Sequence, residues 1–264
     1  MPIHTRLIIK VIVLSKANVM SDLISSIRER YEKVLNSIAA SAMKVGRKPE
    51  AVRLVVVTKL QAPEVIHAAI EAGARILGEN YAEEAVEKIS VLKPQSAVEW
   101  HMIGHIQSRK ASLVAQHFAL VHSLDSLKLA QRLNRSALEF GRTLPVLLEF
   151  NVSGEKSKDG WGAADDSLWP NLLTDMNAIA TLTNIKVCGL MTMPPLSIDP
   201  EASRPYFRQL RRLFEFFSKR VSQVEWNELS MGTSTDYGVA VEEGATLVRI
   251  GEAILGPRPA EEDK

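Results

Sequence analysis

This sequence of 264 residues has one cysteine, almost no net charge and few long apolar runs. Its one cysteine, Cys188, excludes an intrachain disulfide and a metal site built from several thiolates. Lysine and arginine total 32 and aspartate and glutamate 31, so the net charge of +1 gives no reason to expect a nucleic acid or an anionic membrane as partner. A single thiol also fits a reducing compartment, and we expect a cytoplasmic protein.

The first twenty residues contain an apolar run that resembles a weak targeting signal. Lys10 interrupts this run, no small-residue cleavage site follows it, and it is too short to span a bilayer. We therefore expect residues 1–20 to be an extension, either an added N-terminal strand or a poorly ordered segment. Ser21 or Asp22 is predicted to cap the first helix of a single domain over residues 21–264.

A strand-helix-strand unit in the first third of the chain is the clearest pattern. Residues 54–57 are apolar and largely β-branched, which is typical of a strand buried on both faces of a parallel sheet. Pro63 opens an amphipathic helix that Gly73 ends, and a second apolar run over residues 75–77 is followed by Gly78, Glu79 and Asn80. Ligands of parallel sheets gather at the carboxyl ends of the strands, so Lys59, directly after the first strand, is a candidate functional residue.

The alternation of strand and helix continues to the end of the chain. Hydrophobic residues make up 46% of the sequence, enough for a large core. Eight strands, each followed by a helix or a remnant of one, predict an α/β protein with a single (β/α)8 TIM barrel. The strands are predicted at residues 54–57, 75–77, 98–103, 118–122, 144–152, 185–193, 227–231 and 246–250.

The last two predicted strands end in loops that suit an anion. In barrels of this kind these loops commonly bind phosphate, because glycines let main-chain N–H groups approach the ligand. The glycines here are Gly232 and Gly251, and hydroxyls from Thr233, Ser234 and Thr235 would complete the cradle. A cradle at this position is expected to face Lys59 across the barrel mouth. Glycines that serve only the turns remain an equal alternative.

A lysine and a phosphate cradle at one barrel mouth suggest pyridoxal 5′-phosphate held as a Schiff base. Two alternatives remain open: a lysine that binds a sugar phosphate ionically, and a structural lysine paired with a carboxylate such as Glu79. His101 and His105 have the spacing of a helical metal pair, but they flank a strand end, so no metal site is expected. His101 could instead stack near the ring of the cofactor.

Several segments in one order resemble a known family. The segments VVVTK, GENYAEE, EWHMIGHIQSRK, VHSLD, NVSGEKSKDGW, GLMTM, ELSMGTSTD and VRIGEAILGPR, which span about residues 21–258, closely resemble the YggS/PROSC family of pyridoxal phosphate homeostasis proteins. The resemblance implies the barrel of bacterial alanine racemase, a fold-type III pyridoxal phosphate barrel, without the C-terminal β-domain of that enzyme. Residues 1–20 have no counterpart in this resemblance.

The resemblance also implies a set of cofactor-binding residues. Lys59 would form the Schiff base and Asn80 would lie near the ring. Arg249 would face the pyridine nitrogen, and the Ser234 hydroxyl and the main chain of Gly251 and Glu252 would hold the phosphate. Two departures from the family pattern are Glu252, where a small hydroxyl residue is common, and Arg109, where asparagine is usual.

An arginine beside the pyridine nitrogen bears on the chemistry. Because it is itself a cation, it cannot hold a proton there for the ring, and the ring becomes a poorer sink for carbanion charge. Racemases add a tyrosine base from a second domain, and this sequence ends directly after the last strand. The expectation is therefore a monomeric, non-enzymatic carrier that stores pyridoxal phosphate and delivers it to apo-enzymes. The alternatives are a weak racemase-like amino-acid enzyme and a sugar-phosphate enzyme without this cofactor.

Overall fold

The computed structural model describes residues 3–92 and 98–257. Its strands are β1 (Arg53–Val57), β2 (Ile76–Glu79), β3 (Glu99–Met102), β4 (Leu120–Leu124), β5 (Leu144–Asn151), β6 (Trp161–Gly162), β7 (Ile185–Met191), β8 (Glu228–Ser230) and β9 (Leu247–Ile250). Its helices are α1 (Ile3–Lys44), α2 (Pro63–Ala72), α3 (Ala82–Leu92), α4 (Ala111–His117), α5 (Leu127–Glu139), α6 (Trp169–Ala180), α7 (Arg204–Ser218), α8 (Tyr237–Glu242) and α9 (Glu252–Leu255). Residues 1–2 of the expected extension and Arg258, the end of the family resemblance, lie outside the described residues.

The strands form the closed parallel barrel that the sequence predicts. Their order is β4-β3-β2-β1-β9-β8-β7-β5, and pairing between β4 and β5 closes the ring. The two-residue β6 is an addition that no sequence pattern indicated, since it lies in the polar loop after β5. It pairs with the end of that strand, where Phe150 stands beside Trp161.

The unit around Lys59 folds as its sequence indicates. Leu54, Val55 and Val56 of β1 are buried, which explains the continuous apolar run. Helix α2 begins at Pro63 and ends at Gly73, whose φ of 119° is in the left-handed region that favours glycine. Strand β2 begins and ends slightly later than predicted and finishes directly before Asn80.

Helix α1 differs from the expectation for the N-terminus. It begins at Ile3, so residues 3–20 continue the helix instead of forming a strand, and neither Ser21 nor Asp22 caps its start. The physical reason is that no glycine lies before Gly46 and no proline lies within α1, and extending a formed helix costs far less than nucleating one. Ile27 and Ile38 fix the helix on the barrel with a buried face. Among the described residues, no helix is both long enough and apolar enough to cross a membrane.

The barrel interior changes from apolar to polar along its axis. A small apolar cluster contains Leu120 and Leu247, and the partly buried Cys188 packs against it. Two residues further along the same strands, His122 and Arg249 face the same interior because strand side chains alternate with a period of two. Polar groups therefore occupy the part of the barrel that leads to its mouth.

Candidate cofactor site

Lys59 lies partly buried at the carboxyl end of β1. The backbone turns sharply directly after it, because Leu60 has a φ of 60°, which is unusual for a residue with a side chain. The Leu60 N–H donates to the Glu84 carboxylate at 2.8 Å. This contact holds the strained turn and so fixes the direction in which the chain leaves Lys59.

A second lysine lies behind Lys59 and was not found from the sequence. Lys88 Nζ donates to the carbonyl oxygen of Thr58 and to Glu79 Oε1, both at 2.8 Å, and lies 2.6 Å from Glu84 Oε1. Its three ammonium hydrogens thus have three oxygen acceptors, and the side chain is buried. The spacing of four residues between Glu84 and Lys88 was the one available sequence signal.

The carboxylate that was considered as a partner for Lys59 belongs to this buried cluster. Glu79 is fully buried, and its Oε1 accepts from Thr58 Oγ1 at 2.6 Å as well as from Lys88. Burial raises the pKa of the Glu79 carboxyl, and the neighbouring Lys88 opposes that rise. Glu79 therefore forms an ion pair with Lys88.

The loop after β9 lies beside Lys59, and the loop after β8 lies one strand further along the rim, so neither is across the mouth from Lys59. The expectation was wrong because a closed barrel pairs its last strand with its first: Val56 of β1 stands next to Ile250 of β9. Gly251 then packs against the end of β1, where a Cβ atom would come 3.0 Å from the Val57 carbonyl oxygen. The end of β1 that carries Lys59 and the Gly251 loop are thus neighbours.

The loop after β8 is shaped by a glycine and an aspartate. Gly232 has a φ of 95°, and a Cβ there would lie 2.6 Å from the Ala240 Cβ. The N–H and hydroxyl of Thr233 donate to Asp236 Oδ1 at 2.7 and 3.1 Å. Thr233 is therefore occupied in holding the turn, while Ser234, partly buried in the same loop, stays a predicted phosphate ligand.

Asn80 is positioned by the close approach of the next loop. A Cβ at Gly104 would lie only 2.6 Å from the Asn80 Cα, so residue 104 must be glycine for the two chains to meet. Asn80 lines a cavity of about 490 Å³ together with His105 and Arg109. The arginine that departs from the family pattern thus lies in the wall of the cavity that Asn80 also lines.

Arg249 is buried inside the barrel, below the mouth. Its Nη1 donates to Ser230 Oγ at 2.5 Å, and its Nη2 donates to the Thr192 carbonyl oxygen at 2.9 Å and contacts Met193 Sδ at 2.8 Å. Burial lowers the pKa of this guanidinium to about 10, and Glu149 acts in the opposite direction. The group is therefore still a cation at neutral pH.

The two histidines of the sequence analysis lie in different surroundings. His101 is buried in the barrel and contacts His122 and Glu99, so its stacking on a cofactor ring stays a prediction. His105 is exposed at the mouth, where its Nδ1 lies 3.1 Å from Asp125 and 3.4 Å from Asp159. His101 and His105 therefore do not lie together as ligands of one metal site.

Carboxylates gather on the far side of the mouth from Lys59. Glu149, at the end of β5, lines a cavity of about 340 Å³ with Lys158 and Met193. Burial raises the pKa of the Glu149 carboxyl to about 7, and Asp125 and Asp159 add to the rise. A proton can therefore reside on this carboxyl near neutral pH.

Comparison with known proteins defines the class and then the family. The model of the family described as alanine racemase, N-terminal domain, matches residues 29–259, so the chain belongs to that class of barrel. Within it, the chain belongs to the pyridoxal phosphate homeostasis proteins. It is 38% identical over 237 residues to the one from Vibrio alginolyticus, covering 89% of this chain and 98% of the relative. It is 36% identical to the homeostasis protein of Escherichia coli (strain K12), covering 89% of this chain and 97% of that relative.

Solved structures agree with this placement. PipY of Synechococcus elongatus PCC7942, solved with pyridoxal phosphate bound, is 33% identical with a TM-score of 0.73, covering 87% of this chain and 100% of that one. An alanine racemase of Clostridium difficile 630 is 15% identical with a TM-score of 0.62, covering 91% of this chain and 59% of that one. The second likeness shows the fold alone. The predicted family and fold are therefore confirmed.

Proposed function

We propose that this protein binds pyridoxal 5′-phosphate as a Schiff base on Lys59 and serves cofactor homeostasis by storing the cofactor and delivering it to apo-enzymes. The observation that carries the proposal is the position of Lys59 on the strand end beside Gly251, in a family whose relative PipY was solved with this cofactor. When bound, the cofactor supplies an aldehyde that a lysine amine can attack with loss of one water.

The choice of lysine follows from the hydrogen bonds of its neighbour. All three ammonium hydrogens of Lys88 have oxygen acceptors within 2.8 Å, and two of those acceptors are carboxylates. Freeing that nitrogen for an attack on an aldehyde would leave the buried Glu79 without its cation. The Lys88 amine is thereby committed to the buried cluster, and we assign the attachment to Lys59, which lies at the end of β1 where Gly251 packs.

The residues around the lysine fit a phosphorylated pyridine. Gly232 and Gly251 allow their loops to pack closely against α8 and the end of β1. We place the Ser234 hydroxyl and the Gly251 and Glu252 main chain around the phosphate. Asn80 lies one strand further along the rim. Arg249, a donor held on Ser230, would face the pyridine nitrogen.

Storage without robust turnover follows from Arg249. A guanidinium donates hydrogen bonds but has no proton acceptor, so it cannot share a proton with the ring as a carboxylate partner would. The ring is thereby a weak electron sink, and amino-acid chemistry on it would be slow. Racemase-like turnover is the second candidate, and sustained interconversion of alanine isomers by the purified protein would favour it.

Reduction with borohydride tests the proposal. The protein is mixed with pyridoxal phosphate, reduced, digested with trypsin and mapped by mass. We expect one adduct, on the peptide of residues 54–75, because a modified Lys59 no longer permits cleavage. An adduct on another lysine, or none, would contradict the proposal.

A further inference from the structure

A chain of hydrogen bonds runs through the barrel interior from Arg249 to the opposite end. Arg249 Nη1 lies 2.5 Å from Ser230 Oγ, and His122 Nδ1 lies 2.8 Å from the same oxygen. His122 Nε2 lies 3.0 Å from His101 Nδ1, and His101 Nε2 lies 3.4 Å from Glu99 Oε2. The four members from Arg249 to His101 are buried, whereas the side chain of Glu99, at the start of β3, is 59% exposed.

The two ends of this chain fix the direction of every hydrogen bond. A guanidinium only donates, so Ser230 Oγ accepts from Arg249 and can give its own proton to His122 Nδ1. His122 then carries its proton on Nε2 and donates to His101 Nδ1. His101 in turn carries its proton on Nε2 and donates to Glu99, whose ionised carboxylate only accepts.

The reverse direction is unfavourable at both ends. It would make Ser230 Oγ accept from Arg249 and His122 together, which leaves its own proton without an acceptor in the chain. It would also place a lone pair of His101 Nε2 against the Glu99 carboxylate. A buried donor left without a partner costs about 1–3 kcal/mol. Only the first direction satisfies every group of the chain.

Both imidazoles stay neutral in these surroundings. Burial lowers the pKa of His101 to about 4, opposed by Glu99 and assisted by Arg53. Burial also lowers the pKa of His122 well below its ordinary value, with His101 and Arg249 acting in the same direction. Neutral rings are what a one-way chain requires, because each must present one N–H and one lone pair.

We infer that Glu99, His101, His122 and Ser230 are positioning residues that hold the Arg249 guanidinium in one orientation at the cofactor site. The inference rests on the proposed function, since it assigns these groups to the residue that would face the pyridine ring. Ser230 Oγ and the Thr192 carbonyl oxygen together hold both Nη atoms of Arg249. The chain thereby extends this anchoring to a surface carboxylate on the far side of the barrel.

Glu99 allows a test at a distance from the cofactor. Glu99→Lys replaces the terminal acceptor by a donor at an exposed position, whereas the matched control Glu99→Gln keeps an oxygen that can accept from His101. The tautomers are read from long-range proton–nitrogen NMR correlations of the imidazoles in the full-length protein without cofactor. We expect Nε2–H on His101 and His122 in the wild type and in Glu99→Gln, and an added Nδ1–H form of both rings in Glu99→Lys, where only the Arg249–Ser230 end still favours Nε2–H. Wild-type Nδ1–H tautomers, or an unchanged Glu99→Lys spectrum, would overturn the inference.

A second measurement connects the chain to the cofactor. Titration with pyridoxal phosphate should show about tenfold weaker binding for Ser230→Ala, because a buried charged donor loses an acceptor. Glu99→Lys should bind more than about twofold more weakly than the wild type, because the reversed form leaves the Ser230 proton without an acceptor beside Arg249. Glu99→Gln should bind within about twofold of the wild type. Reversed tautomers with unchanged affinity would overturn the positioning role. If the wild type binds no pyridoxal phosphate, the proposed function is wrong, whereas the tautomer measurement still tests the direction of the hydrogen bonds.

Discussion

Lys88 Nζ lies 2.8 Å from Glu79 Oε1, and both side chains are buried directly behind the strand end that carries Lys59. The pair also involves the backbone, since Lys88 donates to the Thr58 carbonyl oxygen. Removing a partner from a buried ion pair leaves an uncompensated charge, which costs more than the pair contributes as a whole. The cluster is therefore a structural support for the Lys59 turn.

Lys88→Met should lower the free energy of unfolding by about 3–5 kcal/mol, because Glu79 then has no cation in a buried site. Urea unfolding of the purified variant measures the loss. The double variant Lys88→Met/Glu79→Gln should recover much of it. The control is Lys33→Met, at an exposed position. If Lys88→Met is no less stable than this control, the cluster has no supporting role.

Glu149→Gln should change how stability depends on pH. The folded pKa of about 7 exceeds the ordinary 4.5, so folding takes up a proton between these values. The wild type therefore loses stability as pH rises through this window, and the glutamine variant does not. The variant should be the more stable by about 3 kcal/mol at pH 8 and about equal at pH 4. Thermal unfolding at both pH values checks this, with Glu139→Gln, at an exposed position, as control. A stability difference between variant and wild type that is the same at both pH values would contradict the prediction.

Thr233→Ala and Ser234→Ala should separate turn stability from anion binding. Thr233 donates to Asp236, so its loss should cost about 1 kcal/mol of stability in urea unfolding. Ser234→Ala should leave stability nearly unchanged and weaken pyridoxal phosphate binding by about tenfold, since one hydrogen bond to a charged group is lost. Equal effects of the two substitutions on binding would remove Ser234 from the proposed site.

Local sequence patterns predicted most of the fold. The apolar run before Lys59 predicted β1, and Pro63 and Gly73 marked the limits of α2, because these signals depend on neighbouring residues alone. The first part of α1, residues 3–20, was not predicted as helix, since its start carries no cap and no periodicity that distinguishes it from a strand. The two-residue β6 is too short for any periodic signal.

The parts of the site that sequence could not supply are its long-range contacts. His122 and Ser230 are 108 residues apart, and neither belongs to a motif that indicates their hydrogen bond. The adjacency of Lys59 and Gly251 follows from closure of the predicted barrel, but the loops were placed strand by strand without the pairing of the last strand with the first. Motifs therefore named the residues, while the geometry that relates them came from the tertiary fold.

The central claim is that the Lys59 amine is the point of attachment for pyridoxal phosphate. Absorbance spectra of the wild type, Lys59→Ala and the control Lys110→Ala, each mixed with pyridoxal phosphate and freed of excess by gel filtration, test it most directly. Lys110 lies in the wall of the neighbouring cavity and pairs with Glu83, so its loss leaves the β1 end intact. The account predicts retained imine absorbance in the wild type and Lys110→Ala and none in Lys59→Ala, with all three equally folded by circular dichroism. Retention of the same absorbance by Lys59→Ala would contradict it.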